Sequence, residues 1–294
     1  MYPPRFDYVA PTTVDEVLAV LAERGDEAKV LAGGQSLIPM MKLRFAFPEL
    51  LVDINRLPGL DAIDEADGHL RVGALVRHND VVASDVVARA NHTMAAAAPW
   101  ISDPLVRNLG TVCGSVAHAD PLGDWGSVML ACGADVVARS TSGERVIPMT
   151  DFITGPFTTV LEPTELVTEV RVPKYAGRGG GTYVKLERKV GDYATVGVAT
   201  RLDLDGDGAI ATAGIALTSV APNNMKAIEA EQALVGESPS DALFAEAAEL
   251  AARAAEPKDD VRGSAEYKRN VVRVFTRRGL TTALEHAQAE GGDR

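Results

Sequence analysis

Two short stretches place small residues and hydrogen-bond donors where a chain could grip an anion. The first is Ala32-Gly33-Gly34-Gln35-Ser36, which follows the apolar run Lys29-Val30-Leu31 and leads into a helical turn over residues 37–44, with Pro39 near its start. Without Cβ atoms, Gly33 and Gly34 can turn sharply and let a phosphate approach the backbone. The amides of the next turn then point at the anion, and Ser36 adds a hydroxyl. The second stretch is Arg107-Asn108-Leu109-Gly110-Thr111-Val112-Cys113-Gly114-Ser115, continuing into Ala117-His118-Ala119-Asp120-Pro121-Leu122-Gly123-Asp124. Two such loops can face each other across a diphosphate, with Asp124 accepting hydrogen bonds from cofactor hydroxyls. Either loop alone reads equally as a connection between core elements; the pair says more.

Common nucleotide signatures are absent. There is no G-x-x-x-x-G-K-[ST] and no G-x-G-x-x-G opening a helix, which excludes P-loop and ordinary dinucleotide-binding readings. Asp203-x-Asp205-x-Asp207-Gly208 imitates a calcium loop, but the position that should be Glu is Gly214 and the flanks read as strands. His118-x-Asp120 lacks further ligands at metal spacing, and Ser115 is not in a G-x-S-x-G elbow. No metal ligand is therefore expected, and the hydrolase reading lacks its nucleophile signature.

The chain has 294 residues, 46% hydrophobic and 24% charged, which suits two or three domains with real cores. Its net charge of −12 argues against nucleic-acid binding. The same charge repels any anionic ligand, so a diphosphate must be held by local donors. Two cysteines, Cys113 and Cys132, are too few for an iron–sulfur cluster or a structural zinc site. No apolar run approaches the roughly 18 residues of a membrane span. The opening Met1-Tyr2-Pro3-Pro4-Arg5-Phe6-Asp7 lacks a signal-peptide pattern. A cytoplasmic chain, at most peripheral to the inner face of the membrane, is expected.

The elements that must position the loops follow from pattern. The start reads β-α-β: Thr13 and Glu16 form a capping box, Val14, Val17, Leu18 and Leu21 make one apolar face, Gly25 ends the helix, and residues 50–54 form the next strand. Residues 69–74 read as a strand, 79–90 and 93–100 as helices, and 125–132 as an apolar helix. Residues 134–140 and 144–148 pair as a hairpin. Arg178-Gly179-Gly180-Gly181 reads as a flexible domain boundary. Strands over 183–188, 194–204 and 209–220 follow, the last two joined by Asp205-Gly206-Asp207-Gly208. Two helices close the chain. One spans 241–255, with Leu243, Phe244, Ala247, Leu250, Ala251 and Ala254 on its buried face. The other spans 265–287, and its basic cluster Lys268, Arg269, Arg273, Arg277 and Arg278 reads as a solvated face or a partner surface.

Three ordered motifs, Ala32-Gly33-Gly34-Gln35-Ser36-Leu37-Ile38-Pro39, Gly110-Thr111-Val112-Cys113-Gly114-Ser115 and Lys189-Val190-Gly191-Asp192-Tyr193-Ala194, resemble the FAD-binding medium subunits of molybdenum hydroxylases, nearest the aerobic carbon monoxide dehydrogenases. The resemblance covers essentially the whole chain. It implies an α+β fold: a flavin-binding domain of vanillyl-alcohol-oxidase type over residues 1–177, in two subdomains split near 55–60, then a small antiparallel sheet with helices over 178–288 and a tail over 289–294. It implies that Ala32, Gly33, Gly34, Gln35, Ser36, Leu37 and Ile38, with Gly110, Thr111, Val112, Cys113, Gly114, Ser115 and Ala117, hold FAD around its diphosphate. Asp124 would serve the ribityl or ribose region, and Asp120 would be a further cofactor-binding residue. Leu166 or Val167, and Lys185, would lie near the flavin ring, and Tyr193 beside or over it; Asp192 would be a further cofactor-binding residue. Many relatives carry His at the position of Gln35 and Ile-Gly-Gly in place of Val112-Cys113-Gly114, which narrows backbone freedom at Cys113.

The family implies a division of labour. Substrate is oxidised at a molybdenum cofactor in a large subunit, and electrons cross two [2Fe–2S] clusters in a small subunit. They reach FAD in this chain and leave for a quinone or another acceptor, in a dimer of heterotrimers. Relatives act on CO, N-heterocycles, aldehydes or aromatic thioesters. A stand-alone flavin reductase or oxidase, and a non-catalytic nucleotide-binding module, are the other readings; turnover by the isolated chain, or failure to take up FAD, would favour them.

Overall fold

The computed structural model describes residues 2–289. Three sheets organise them, with a two-stranded ribbon besides. The first sheet is parallel, in the order β1 (Asp7–Val9), β3 (Leu50–Asp53), β2 (Ala28–Leu31). Between β1 and β2 runs α1 (Val14–Arg24), opened by the expected capping box: Glu16 N donates to Thr13 Oγ1 at 3.2 Å, and Thr13 N donates to Glu16 Oε2 at 3.2 Å. Val17, Leu18 and Leu21 of α1 are buried in the main core. The first glycine loop leaves β2 and enters α2 (Leu37–Lys42).

The second sheet is antiparallel, in the order β4 (Ile63–Ala66), β5 (His69–Gly73), β10 (Leu166–Pro173), β6 (Asp135–Ser140), β7 (Gly143–Pro148). Between β5 and β6 lie α3 (His78–Ala83), α4 (Asp85–Ala90), α5 (His92–Ala97), α6 (Pro104–Arg107), α7 (Val112–His118) and α8 (Asp124–Cys132). The single helix expected over 79–90 is two, because Ser84 leaves helical geometry and caps α4 by accepting from Val87 N at 3.2 Å. After β7 come α9 (Met149–Phe152) and the ribbon β8 (Ile153–Gly155) and β9 (Thr158–Thr159).

The third sheet is antiparallel, in the order β11 (Arg178–Leu186), β12 (Val196–Leu204), β13 (Ile210–Thr218), β14 (Met225–Lys226). It is followed by α10 (Ile228–Leu234), α11 (Asp241–Ala254) and α12 (Ala265–Ala289). Every residue of β12 is buried, as is every residue of α8. The sheet lies against α8 on one face, where a Cβ on Gly214 would sit 1.9 Å from the Ala131 carbonyl oxygen. A second core joins the sheet to α10, α11 and α12.

Three expectations are corrected. Residues 178–181 are not flexible but form the first half of β11, paired in register with residues 201–204. Their glycines serve close packing: a Cβ on Gly180 would lie 1.9 Å from Ala283 O, and one on Gly181 would lie 2.1 Å from Thr93 Oγ1. The buried face of α11 is Phe244, Ala247, Ala248, Ala251 and Ala252, so Leu243, Leu250 and Ala254 sit at its margins. In the basic cluster of α12 Lys268 does not lie on a solvated face: it is buried, donating to Asp260 Oδ1 and to Lys258 O at 2.8 Å each, whereas Arg269, Arg277 and Arg278 are exposed. Of the expected tail, Ala289 ends α12 and residues 290–294 lie outside the described residues.

Candidate functional site

The two glycine loops are brought together. A Cβ on Gly33 would fall 2.2 Å from the Leu109 carbonyl oxygen and 2.6 Å from Gly110 Cα, so the loops touch backbone to backbone. Gly34 has φ +70°, the left-handed turn that a glycine takes most easily. Among the described residues, no backbone N–H of residues 33–37 donates to an acceptor within the chain. These donors border an open cavity of about 530 Å³ whose wall includes Ala32, Gly33, Gly34, Gln35 and Ile38 from the first loop and Leu109 from the second. Lys42, Asp53, Asn55 and Arg77 also line it. The free backbone donors stand beside two cations, Lys42 and Arg77, and one anion, Asp53, so the local charge is more positive than the chain's net charge.

The second loop is fixed from below. Val112 N donates to Val76 O at 3.1 Å, and His78 N donates to Gly110 O at 3.0 Å. Thr111 caps α7 by accepting from Gly114 N at 3.1 Å, and a Cβ on Gly114 would lie 2.6 Å from that hydroxyl. His78 is buried and accepts a hydrogen bond at Nδ1 from Trp125 Nε1, 3.0 Å away. Burial first, then the charges of Arg107 and Arg77, pull its pKa down to about 4. A Cβ on Gly110 would meet His78 Nε2 at 2.7 Å, so this imidazole is the floor on which the loop rests.

Val112 and Cys113 do not turn their side chains to the cavity. Both are buried in the main core, and Cys113 Sγ lies 3.4 Å from Val72 O. Val112 has also spent its N–H on Val76. Leu166 and Val167 are likewise core residues of β10. Ser115 and Ala117, on α7, are half-buried.

A second group lies where α8 meets the third sheet. Asp124 opens α8 and is buried; its Oδ2 is 2.9 Å from Lys185 Nζ, and its Oδ1 accepts from the Tyr183 hydroxyl at 2.5 Å. Lys185 Nζ also donates to Trp100 O at 3.0 Å. Burial raises the Asp124 carboxyl above its usual range, with Lys185 pulling the other way. Burial and then the Asp124 charge drive the Tyr183 hydroxyl up. Asp124 is thus engaged by two protein donors rather than left open for cofactor hydroxyls alone.

Beside this group stands the loop that carries Asp192 and Tyr193. Asp192 is turned back on its own segment, with Arg188 Nε at 3.0 Å and Arg262 Nη2 at 3.6 Å, so it braces the loop. Tyr193 is half-exposed; burial and the neighbouring Asp120 raise its hydroxyl above the ordinary phenol range. Asp120 also accepts from Leu122 N at 2.9 Å. Sequence reasoning missed Lys42, Asp53, Asn55, Arg77, His78, Trp125 and Tyr183 as residues of the site. None stands in a glycine-rich motif, and each becomes legible only when distant elements meet.

Residues 4–175 match the family described as the FAD binding domain in molybdopterin dehydrogenase, and residues 181–283 match the CO dehydrogenase flavoprotein C-terminal domain. The chain is 41% identical over 283 residues to the carbon monoxide dehydrogenase medium chain of Hydrogenophaga pseudoflava, covering 96% of this chain and 98% of that one. It is 39% identical over 288 residues to the 6-hydroxypseudooxynicotine dehydrogenase complex subunit alpha of Paenarthrobacter nicotinovorans, covering 98% and 97%. A solved chain of the carbon monoxide dehydrogenase from Hydrogenophaga pseudoflava lacking the Mo-pyranopterin moiety of the molybdenum cofactor superposes with a TM-score of 0.93 at 42% identity, over 97% of this chain and 99% of that one.

Proposed function

Because the chain belongs to the FAD-binding medium subunits of the molybdenum hydroxylases, we propose that it is the flavin-carrying electron relay of an aerobic carbon monoxide dehydrogenase. The observation that carries the choice of CO is the end-to-end likeness to the medium chain of such an enzyme, in sequence and in fold. The reaction, CO + H2O giving CO2, two protons and two electrons, takes place at the molybdenum cofactor of a large subunit. The electrons cross the [2Fe–2S] clusters of a small subunit, enter this chain and leave for a quinone or another acceptor. The assembly is a dimer of heterotrimers. The free buried thiols Cys113 and Cys132 fit a reducing, cytoplasmic setting.

FAD, when bound, supplies the electron chemistry, and the protein supplies binding, orientation and electrostatics. The first loop would offer its N–H groups to the diphosphate, with Lys42 beside it to offset charge. The stretch Gly110 to Ser115 would face it from the other side through the backbone of Thr111 and Cys113, since the N–H groups of Gly110, Val112, Gly114 and Ser115 are committed within the chain. Asp120 and Asp124 would hold the polyol region, Lys185 Nζ holds Asp124 in place at 2.9 Å, and Tyr193 would lie beside or over the ring. Among the described residues, no helix is long and apolar enough to cross a membrane.

The nearly equal likeness to the 6-hydroxypseudooxynicotine dehydrogenase complex subunit alpha of Paenarthrobacter nicotinovorans supports a second reading, in which the large subunit oxidises a different substrate. Purification of the native complex separates the two. The CO reading expects molybdenum, iron and flavin in one assembly that reduces a dye with CO. An assembly with the same cofactors that ignores CO but oxidises an N-heterocycle or an aldehyde establishes the second, and one without molybdenum and iron removes both.

A further inference from the structure

The loops touch at Gly33 and Leu109, yet a single contact does not fix how far apart their donors stand. A chain of hydrogen bonds does. Asn55, just beyond β3, donates through Nδ2 to the Ala32 carbonyl at 2.8 Å. The same amide nitrogen is 2.6 Å from Asp53 Oδ1, which also accepts from Asn55 N at 2.9 Å, so the side chain is held at its root. Asn55 Oδ1 accepts from Arg77 Nη2 at 2.5 Å. Arg77 Nη1 donates to the Leu109 carbonyl, the same oxygen that crowds Gly33. The base of Arg77 is equally constrained: its N–H donates to Asp80 Oδ2 at 2.8 Å, and its backbone forms a β-bridge with Thr111. One guanidinium therefore spans from the carbonyl of the first loop, through Asn55, to the carbonyl of the second.

We propose that Arg77, acting through Asn55, is a positioning residue that sets the spacing of the two glycine loops and thereby their grip on a diphosphate. This rests on the reading of the site as an FAD site. The role needs arginine. A planar guanidinium presents donors in two fixed directions at once, whereas a lysine ammonium is a point charge on a flexible stem. Arg77 also lines the cavity, so a plain charge effect is the competing explanation. The two differ in what a lysine and a lost Asn55 would do.

The test uses the native complex, stripped of flavin and titrated with FAD, for wild type, R77K, R77A, N55A and R77A/N55A. The readouts are the FAD dissociation constant and its salt dependence. A positioning role expects R77K to bind at least tenfold more weakly than wild type despite its charge. N55A should weaken binding to a similar degree, and the double variant should be no worse than R77A alone, because both changes cut one strap. Binding by R77K at wild-type affinity, an N55A variant indistinguishable from wild type, or losses that multiply in the double variant would each overturn the proposal. Failure of the wild-type complex to take up FAD would instead overturn the reading of the site.

Discussion

Gly33 lies so close to the Leu109 carbonyl that a Cβ on Gly33 would stand 2.2 Å from that oxygen and 2.8 Å from its carbon. Both groups are backbone, so no side chain can rotate out of the way. The glycine is required by the meeting of two loops, not only by a turn within one. Gly33→Ala should therefore part the loops, with a stability loss of roughly 1–3 kcal/mol, typical of overpacking. Flavin content should fall at least tenfold, read as the flavin-to-protein absorbance ratio of the purified complex. Gly34→Ala is a useful contrast. Its Cβ would meet only side-chain tips, Leu31 Cδ1 at 3.0 Å and Ile38 Cγ1 at 3.2 Å, but its φ of +70° costs about 1 kcal/mol for a residue with a Cβ. It should retain flavin better than Gly33→Ala; equal flavin content in wild type and Gly33→Ala would mean that the loops do not hold the cofactor.

Lys185 and Asp124 form a buried pair, and Glu187 Oε2 lies 3.7 Å from the same ammonium. The lysine side chain is 1% exposed and the aspartate 7%. Removing one partner leaves an uncompensated charge in the interior, a loss of about 3–5 kcal/mol. Lys185→Met should show this as a lower urea midpoint with an unchanged slope. Asp124→Asn added to Lys185→Met removes the stranded carboxylate and should recover more than half of the loss. A double variant less stable than Lys185→Met would show that Asp124 is held chiefly by Tyr183.

How far the sequence reached is set by the range over which each signal acts. The capping box at Thr13 and Glu16, the hairpin of β6 and β7 and the apolar α8 were legible because they depend on neighbours a few residues away. The same holds for Gly33, Gly34 and Gly110 to Ser115, whose type and spacing state what a tight loop needs. The triple glycine at 179–181 misled because glycine has two uses: freedom in a linker and close approach in a packed strand. Only the position of α12 reveals the second. The exposed-face reading of Lys268 failed for a related reason, since its partner Asp260 lies in the preceding loop. Asn55, Arg77 and His78 were invisible as site residues because their roles exist only in contacts that span the fold.

The misread glycine makes its own prediction. A Cβ on Gly180 would meet Ala283 O at 1.9 Å and Ala287 N at 2.7 Å, which leaves α12 no room to stay on β11. Gly180→Ala should destabilise the protein by roughly 1–3 kcal/mol. Amide hydrogen exchange should quicken across α12 while α1 keeps its protection. A Cβ on Gly206, in the turn between β12 and β13, would meet nothing within 4 Å, so Gly206→Ala should change stability by less than about 0.5 kcal/mol. Equal effects at the two sites would mean that packing of α12 is not what Gly180 serves.

His78 gives the site a definite acid limit. Its Nδ1 accepts from Trp125, so the folded protein holds the ring neutral, with a pKa of about 4. An unfolded histidine titrates near 6.5, at about 1.4 kcal/mol per unit of difference. The folded value is the lower one, so the folded state binds fewer protons in this window. The stability linked to His78 is therefore complete above about pH 6.5 and drains away as pH falls toward 4, a loss of roughly 3 kcal/mol. His78→Asn keeps an acceptor for Trp125 and removes the titration. Urea unfolding at pH 7.5 and pH 4.5 should show wild type losing roughly 2–3 kcal/mol more than His78→Asn over that interval, with the carboxylates common to both cancelling in the comparison. Parallel losses in the two proteins would show that the imidazole under Gly110 is not the group that titrates.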